Sequence, residues 1–148
     1  MDKRKLHDLI VSLGSNIHTE GGDTTDARRH LEEARHRLSA YVEDIRASHI
    51  STTQAIGIKA SDFCNQLIHG RTRLDIDTLG ITLKEIETQM GRRRTTRHEV
   101  AIDIDLLKYD ETLCHEADWQ RSYVKDLLCD ILPKEDTHNS NNNTKFKQ

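Results

Sequence analysis

The order of the elements that the sequence predicts indicates an α+β fold built on one antiparallel sheet. Short apolar or β-branched runs and two amphipathic helices follow one another as strand, helix, strand, strand, helix, strand. A third amphipathic stretch comes after the last strand and predicts an extra C-terminal helix. The βαββαβ order is that of the ferredoxin-like fold, in which helices cover one face of the sheet and leave the other face available.

The first half of the chain predicts a strand, a helix and a second strand. Residues 9–13 form a short apolar run, which Gly14-Ser15-Asn16 is expected to close as a turn. Asp26 is a candidate N-cap for a helix whose apolar residues recur every three or four positions. These residues are Ala27, Leu31, Ala34, Leu38, Tyr41 and Val42. Residues 45–56 have the β-branched alternation of a strand, which Gly57 ends.

The second half predicts two strands, with one helix between them and one helix after them. Residues 62–68 predict a strand that we expect to continue through Thr72 and Leu74 after a bulge at Gly70. The next helix ends at Gly91 and carries an apolar face. This face consists of Leu79, Leu83, Ile86 and Met90. The last strand contains residues 101–107, AIDIDLL, and residues 117–132 predict the terminal helix.

Length, charge and composition restrict the class of protein. The 148 residues predict one domain over residues 1–135 and a disordered polar tail over 136–148. The net charge of −3 argues against a surface that binds nucleic acid throughout. We find no signal peptide and no apolar run long enough to span a bilayer, so we expect a cytoplasmic protein, taken to be a monomer. The three cysteines match neither a disulfide framework nor a zinc site.

Two aspartates in the last strand are candidate metal ligands. Because side chains alternate across a strand, Asp103 and Asp105 share one face, opposite Ile102 and Ile104. At about 7 Å apart they repel by roughly 2 kcal/mol at an effective dielectric near 20. Two readings are open: acidic residues on the wet face of a half-buried strand, or oxygen ligands of Mg²⁺, which then usually holds substrate phosphates as well.

A cluster of arginines precedes the aspartates. Arg92, Arg93 and Arg94 follow Gly91 directly, and Arg97 lies just beyond them. Guanidinium groups suit phosphate oxygens because they present planar, paired donors. A solvated basic loop is the plain alternative. The short distance along the chain between these arginines and the two aspartates favours a clamp on a metal-bound polyphosphate.

Four short motifs together resemble the 6-hydroxymethyl-7,8-dihydropterin pyrophosphokinase family of folate biosynthesis. They are LGSN at 13–16, FCNQ at 63–66, IETQMGRRR at 86–94 and IDIDLLKYD at 102–110, and the likeness spans about residues 9–125. The resemblance implies the ferredoxin-like fold. It also implies an enzyme that transfers the terminal diphosphate of ATP to the hydroxymethyl oxygen of the pterin and releases AMP.

The resemblance implies a role for each matched residue. Asp103 and Asp105 match a pair that holds two Mg²⁺ ions with the triphosphate, and Arg92 and Arg97 are the other catalytic candidates. The nucleotide would be bound by Glu87 near its ribose and by Arg92, Arg94, His115 and Arg121. The pterin would be bound by Thr53, Phe63, Asn65 and Tyr123, the two aromatic residues covering its faces.

The sequence departs from the family pattern in the loop before the aspartates, and two alternative functions follow from the sequence. The loop is shorter here and reads Arg97-His-Glu-Val-Ala101, so the mobile arginine of the family has no aligned match and Arg97 is its candidate substitute. A catalytically weakened relative that binds nucleotide, pterin or a protein partner without turnover is therefore one alternative. A reader of single-stranded RNA is the other, but aromatic residues are only 4% of the chain and its net charge is acidic.

Overall fold

The computed structural model describes residues 5–17, 24–53, 62–91 and 100–132, and within them it confirms the predicted α+β, ferredoxin-like architecture. The strands are β1 (His7–Ser15), β2 (Glu43–Ala47), β3 (Ser51–Thr53), β4 (Phe63–Thr72), β5 (Asp103–Tyr109) and β6 (Thr112–Leu113). The helices are α1 (Thr25–Leu38), α2 (Ile76–Gln89) and α3 (Ser122–Ile131), the last preceded by a 3₁₀ turn at Glu116–Gln120. None of these helices is long and apolar enough to cross a bilayer.

The sheet is antiparallel, with strand order β2-β4-β1-β5-β6 and with β3 also paired to β4. Its centre is β1, which lies between β4 and β5. The helices α1 and α2 pack on one face, which we call the first face, and bury most of the apolar side chains there. This core includes Leu9, Val11, Leu13, Leu31, Leu38, Leu79, Leu83, Ile86, Ile102 and Ile104.

The C-terminal helix packs on the opposite face, which we call the second face. There Val124, Leu127 and Ile131 of α3 form a separate cluster with three sheet residues, Ile10, Leu67 and Leu107. The sequence predicted that the helices leave this face of the sheet available. The prediction is correct for only part of the face, because α3 covers the rest. Among the described residues, the α3 cluster does not include Gly14, Asn65 or Asp103.

Polar contacts fix α3 to the sheet at both of its ends. Near its C-terminus, the backbone N–H of His49 donates to Asp130 Oδ2 over 2.8 Å. Arg46 Nη1 donates to the carbonyl oxygen of Ile131 over 3.2 Å. Before the helix begins, Trp119 Nε1 donates to the carbonyl oxygen of Leu107 over 3.2 Å. The expected single helix over residues 117–132 is interrupted, because Arg121 is extended between the 3₁₀ turn and α3.

Strand β1 is longer than the sequence predicted, and Gly14-Ser15 does not form a turn. Gly14 pairs with Asn65 on one side and with Asp103 on the other, while Ser15 pairs with Cys64. Turn-forming residues remain in a strand here because both neighbouring strands supply backbone partners. Such partners are distant in sequence, and local composition does not reveal them.

Three further expectations about local structure were wrong. Gly70 lies in an uninterrupted β4, and a Cβ there would overlap Cγ1 of Val42, so the glycine permits close packing and not a bulge. The register shifts occur instead on partner strands, between Glu43 and Arg46 of β2 opposite this glycine, and between Ile10 and Val11 of β1 where it pairs with β5. Residues 45–56 are not one strand, because β2 ends at Ala47 and β3 covers Ser51–Thr53. Asp26 lies in the first turn of α1, whose N-cap is Thr24.

Candidate active site

One row of residues crosses the second face of the sheet through three strands. Gly14 of β1 pairs with Asn65 of β4 and with Asp103 of β5. The next row on the same face contains Ser12, which pairs with Leu67 and with Asp105. Because directly paired residues project from the same face, both aspartates share the face of Asn65, about 10 Å away across two strand spacings. The three strands therefore bring these residues together on one face of the sheet.

The β4 end of this row brings together three residues that the sequence assigned to the pterin. Asn65 Nδ2 donates to Thr53 Oγ1 over 3.1 Å, across the β3–β4 pair. The Phe63 ring lies beside Gly14, where an added Cβ would be 3.6 Å from Phe63 Cδ1 and 3.3 Å from Asn65 Oδ1. The absence of a side chain at residue 14 therefore lets the aromatic ring and the amide pack directly against the backbone of β1.

The β5 end of the row carries the two aspartates. Asp103 is exposed and Asp105 is half-buried. Burial raises the pKa of Asp105, and the negative charge of Asp103 raises it further. Both effects disfavour the ionised form of Asp105, and a bound cation would stabilise that form.

The chemistry of this donor set fits Mg²⁺. Within the described ranges, no three His, Cys, Asp or Glu side chains lie close enough together to hold a metal ion by themselves. Mg²⁺ does not require such a cage, because it usually binds through one or two carboxylates while waters and substrate phosphates complete its octahedron. Asp103 and Asp105 are the side chains that would hold it.

The segment before α3 and the first turn of α3 bring charged and aromatic groups to the same place. His115, in the left-handed region with φ 54°, lowers the pKa of the partly buried Asp105 by its charge, and Asp118 raises it. Arg121 Nε lies 3.3 Å from Asp118 Oδ1. The Tyr123 side chain is half-buried, which raises the pKa of its hydroxyl, while the neighbouring Ser12 side chain lowers it. Tyr123 thus adjoins the Ser12–Asp105 row.

Backbone contacts hold the strand that carries the aspartates. The backbone N–H of Val100 donates to Asn16 Oδ1 over 2.5 Å, and the backbone N–H of Asn16 donates to the carbonyl oxygen of Val100 over 3.1 Å. Further along, the backbone N–H of Ile104 donates to Glu87 Oε2 over 2.7 Å. Sequence reasoning missed Ser12 and Asn16; the LGSN motif at 13–16 contains Asn16, but it does not include Ser12.

Among the described residues that the sequence singled out, Glu87 is not part of this grouping. The Glu87 side chain is 1% exposed and packs under the first face, against the backbone between the aspartates. Arg92, Arg94 and Arg97 lie outside the described residues. The remaining predicted residues come together around the two rows. They are Thr53, Phe63, Asn65, Asp103, Asp105, His115, Arg121 and Tyr123.

Comparison with known proteins identifies a single family. Residues 10–133 match the model of 7,8-dihydro-6-hydroxymethylpterin-pyrophosphokinase. A mitochondrial folate synthesis bifunctional protein of Arabidopsis thaliana is 28% identical over 136 residues, which cover 85% of this chain and 24% of that protein. The mitochondrial folate synthesis bifunctional protein of Pisum sativum is 27% identical over 134 residues, covering 84% and 25%. The chain thus spans about a quarter of the length of these relatives.

A solved structure supports the fold. The crystal structure of a Plasmodium falciparum HPPK-DHPS triple mutant superposes with a TM-score of 0.56 and is 17% identical in sequence. The superposition covers 74% of this chain and 30% of that one. At this level of identity, the likeness concerns the path of the backbone.

Proposed function

Because the chain belongs to the 7,8-dihydro-6-hydroxymethylpterin-pyrophosphokinase family, a family of ATP-dependent transferases in folate biosynthesis, we propose that it carries out the family reaction. It would transfer the terminal diphosphate of ATP to the hydroxymethyl group of 6-hydroxymethyl-7,8-dihydropterin, giving AMP and the pterin diphosphate. One observation carries the proposal: the row Asn65–Gly14–Asp103 sets an amide and an aromatic ring beside two aspartates on one face of the sheet.

The β4 end of the row is the proposed pterin site. Phe63 offers a ring face for stacking against a flat bicycle, and Asn65 offers both a donor and an acceptor to its edge. The bond from Asn65 Nδ2 to Thr53 Oγ1 restricts the rotation of the amide. Tyr123, from the start of α3, is proposed to cover the other face of the pterin. Its hydroxyl lies near Ser12 and Asp105, which places Tyr123 beside the Asp105 row.

The β5 end of the row is the proposed site for the triphosphate. Asp103 and Asp105 would hold Mg²⁺, in the proposed arrangement two ions, and the metal would neutralise charge on the transferring phosphates. His115 and Arg121 are proposed to contact the nucleotide from the segment before α3. We propose phosphate contacts for Arg92, Arg94 and Arg97, on the basis of their place in the sequence and of guanidinium chemistry. Catalysis would consist mainly of positioning and of charge stabilisation.

The test is AMP formation by aspartate variants with ATP, Mg²⁺ and the pterin. Asp103→Asn and Asp105→Asn keep the size of the side chain and remove its charge, so we expect losses on the order of 100-fold or more in kcat. Asp126→Asn, on the exposed side of α3, is the matched control and should retain full activity. AMP formation at the wild-type rate by the Asp105→Asn variant would refute the proposed reaction.

A second candidate function is binding of the same ligands without turnover. The observation that favours it is the short loop Arg97–Ala101, which leaves the mobile arginine of the family without an aligned counterpart. Calorimetry with a non-hydrolysable ATP analogue and the pterin, followed by the AMP assay, separates the two. Tight binding of both ligands with no AMP would select the second candidate.

Several properties remain predictions from the sequence. These are the single domain over residues 1–135, the polar tail over 136–148, the monomeric state, the lack of nucleic-acid or membrane binding, and the cytoplasmic location. Two of the plant relatives are mitochondrial proteins, so the location requires its own experiment. Fractionation of the source cells followed by immunoblotting would decide between the two compartments.

A further inference from the structure

We propose that Glu87 is a positioning residue for the two aspartates, and that its buried carboxylate fixes the backbone of the residue between them. The proposal rests on the proposed function, because the aspartates matter here as metal ligands. Glu87 lies on α2 and contacts β5 from the first face of the sheet, while Asp103 and Asp105 project from the second face. It would therefore act through the strand, without touching substrate.

The edge of β5 explains why a side chain is needed at this point. On one side, Ile104 pairs with Leu13 of β1. On the other side, β6 pairs only with Lys108 and Tyr109, so within the described residues no strand lies beside Ile104. Its N–H donates instead to Glu87 Oε2 over 2.7 Å, a length typical of a charge-assisted bond. The carboxylate thus takes the place of a missing neighbouring strand.

The presence of a glutamate at residue 87 is informative, because burial disfavours a charged carboxylate. Glu87 is 1% exposed on a helix face that also buries Leu79, Leu83 and Ile86. A buried carboxylate loses hydration and remains favourable only where strong donors replace the water. Lys84 Nζ lies 3.5 Å from Oε1, but Lys84 is 66% exposed and its attraction is screened by solvent. An apolar residue would fill the same space and leave the Ile104 N–H without its acceptor.

The backbone of this segment is held at two points. Asn16 binds both the N–H and the carbonyl oxygen of Val100, and Glu87 binds the N–H of Ile104. Asp103 lies between the two points, and Asp105 is the next residue after the second. A rotation of the strand at Ile104 would turn both carboxylates away from their shared face. Displacements of about 1 Å are enough to weaken a site that depends on positioning.

The experiment compares Glu87→Met, which removes the acceptor at similar length, with Glu87→Gln, which keeps a neutral acceptor. Glu85→Met and Glu85→Gln, on the exposed side of the same helix, are the matched controls. The first measurement is amide hydrogen exchange at Ile104 in the ligand-free protein. The second is the concentration of Mn²⁺ at half-saturation in the presence of a non-hydrolysable ATP analogue. The third is steady-state AMP formation against Mg²⁺, with ATP and with its 2′-deoxy and 3′-deoxy forms.

We expect graded effects in the order wild type, Glu87→Gln, Glu87→Met. In the Met variant, exchange at Ile104 should be at least tenfold faster, and the half-saturating metal concentration at least tenfold higher. The loss of activity should be the same for ATP and for both deoxy nucleotides, because the ribose is not involved. Both Glu85 variants should match the wild type. If Glu87→Met does not fold, the comparison of Glu87→Gln with Glu85→Gln tests the proposal. We then expect the exchange rate at Ile104 and the half-saturating metal concentration each to rise about threefold.

Three results would overturn the proposal: unchanged exchange at Ile104, an unchanged metal midpoint, or a loss that disappears when a ribose hydroxyl is removed. The last result would make Glu87 a nucleotide contact. Failure of the proposed function gives a different result: the wild-type protein makes no AMP. The exchange and Mn²⁺ measurements then still test the role of Glu87. Wild-type protein that binds no Mn²⁺ with the analogue would overturn both proposals.

Discussion

Gly14→Ala tests the row on the second face directly, because the structure defines what the added methyl group would meet. The new Cβ would be 3.3 Å from Asn65 Oδ1 and 3.6 Å from Phe63 Cδ1. The first distance is tighter than ordinary contact, so the amide must move by a few tenths of an ångström. The methyl group would therefore press on the amide and contact the ring that we propose bind the pterin.

The expected magnitudes separate binding from stability. The backbone of Gly14 is not in the left-handed region, so alanine restricts the unfolded chain and stabilises the fold by about 0.4–1 kcal/mol. The crowding of Asn65 offsets this gain, and we expect a net change below about 1 kcal/mol in the free energy of unfolding. Because the methyl group displaces the Asn65 amide that we propose binds the pterin edge, KM for the pterin should rise at least tenfold, equivalent to about 1.4 kcal/mol.

The assay is AMP formation at varied pterin concentration with saturating ATP and Mg²⁺, together with urea unfolding of each protein. Gly80→Ala is the matched control, because its Cβ would meet nothing within 4 Å on α2. That variant should be more stable by about 0.5–1 kcal/mol and unchanged in KM. An unchanged KM for the pterin in folded Gly14→Ala protein would refute the placement of the pterin beside residue 14.

Three further predictions use contacts outside the metal-binding pair. Thr53→Val removes the acceptor of Asn65 Nδ2, so KM for the pterin should rise severalfold in the AMP assay. Trp119→Phe removes a donor to two backbone carbonyl oxygens, and urea unfolding should reveal a loss of about 1–2 kcal/mol. Burial lowers the pKa of His69 below its usual 6.5, so the unfolded state takes up a proton before the folded state does as the pH falls. The contribution of neutral His69 to the free energy of unfolding is therefore present above pH 6.5 and is lost as the pH falls through the folded pKa. His69→Gln should therefore make the urea midpoint less sensitive to pH between about 7.5 and 5.

Each of these predictions has a control. Thr53→Ser keeps the hydroxyl and should retain most of the pterin affinity, so an equal loss in both variants contradicts the hydrogen-bond explanation. His36→Gln, on α1, should leave the pH dependence of unfolding unchanged. If His69→Gln and His36→Gln behave alike, burial of His69 is not what makes the fold acid-sensitive. For Trp119→Phe, unchanged stability would mean that the indole bonds contribute nothing measurable to anchoring the segment.

Much of the fold and part of the candidate site could be predicted from the sequence, because the relevant signals are local. Alternation along residues 101–107 placed Ile102 and Ile104 in the core and both aspartates on the opposite face, as the structure confirms. The spacing of apolar residues located α1 and α2, and Gly91 follows α2 with φ 89°. These properties depend on residues two to four positions apart, which a single sequence displays.

The errors concern residues whose state depends on distant partners. Gly14 and Ser15 have the composition of a turn, yet strands on both sides extend β1 through them. Gly70 resembles a bulge in the sequence, yet its lack of a side chain accommodates Val42. In both cases a contact between residues far apart in the chain overrides the local preference of glycine.

The sequence by itself determined the order of the elements, the shared face of the two aspartates and the family motifs. Only the tertiary structure decided that Asn65, Gly14 and Asp103 form one row, that α3 packs on the same face, and that Glu87 points inwards to Ile104. The physical reason is that strand register and helix docking are set by pairing across loops. The periodicity of a single element shows which of its residues share a face, but it does not identify the residue of another element that lies opposite them.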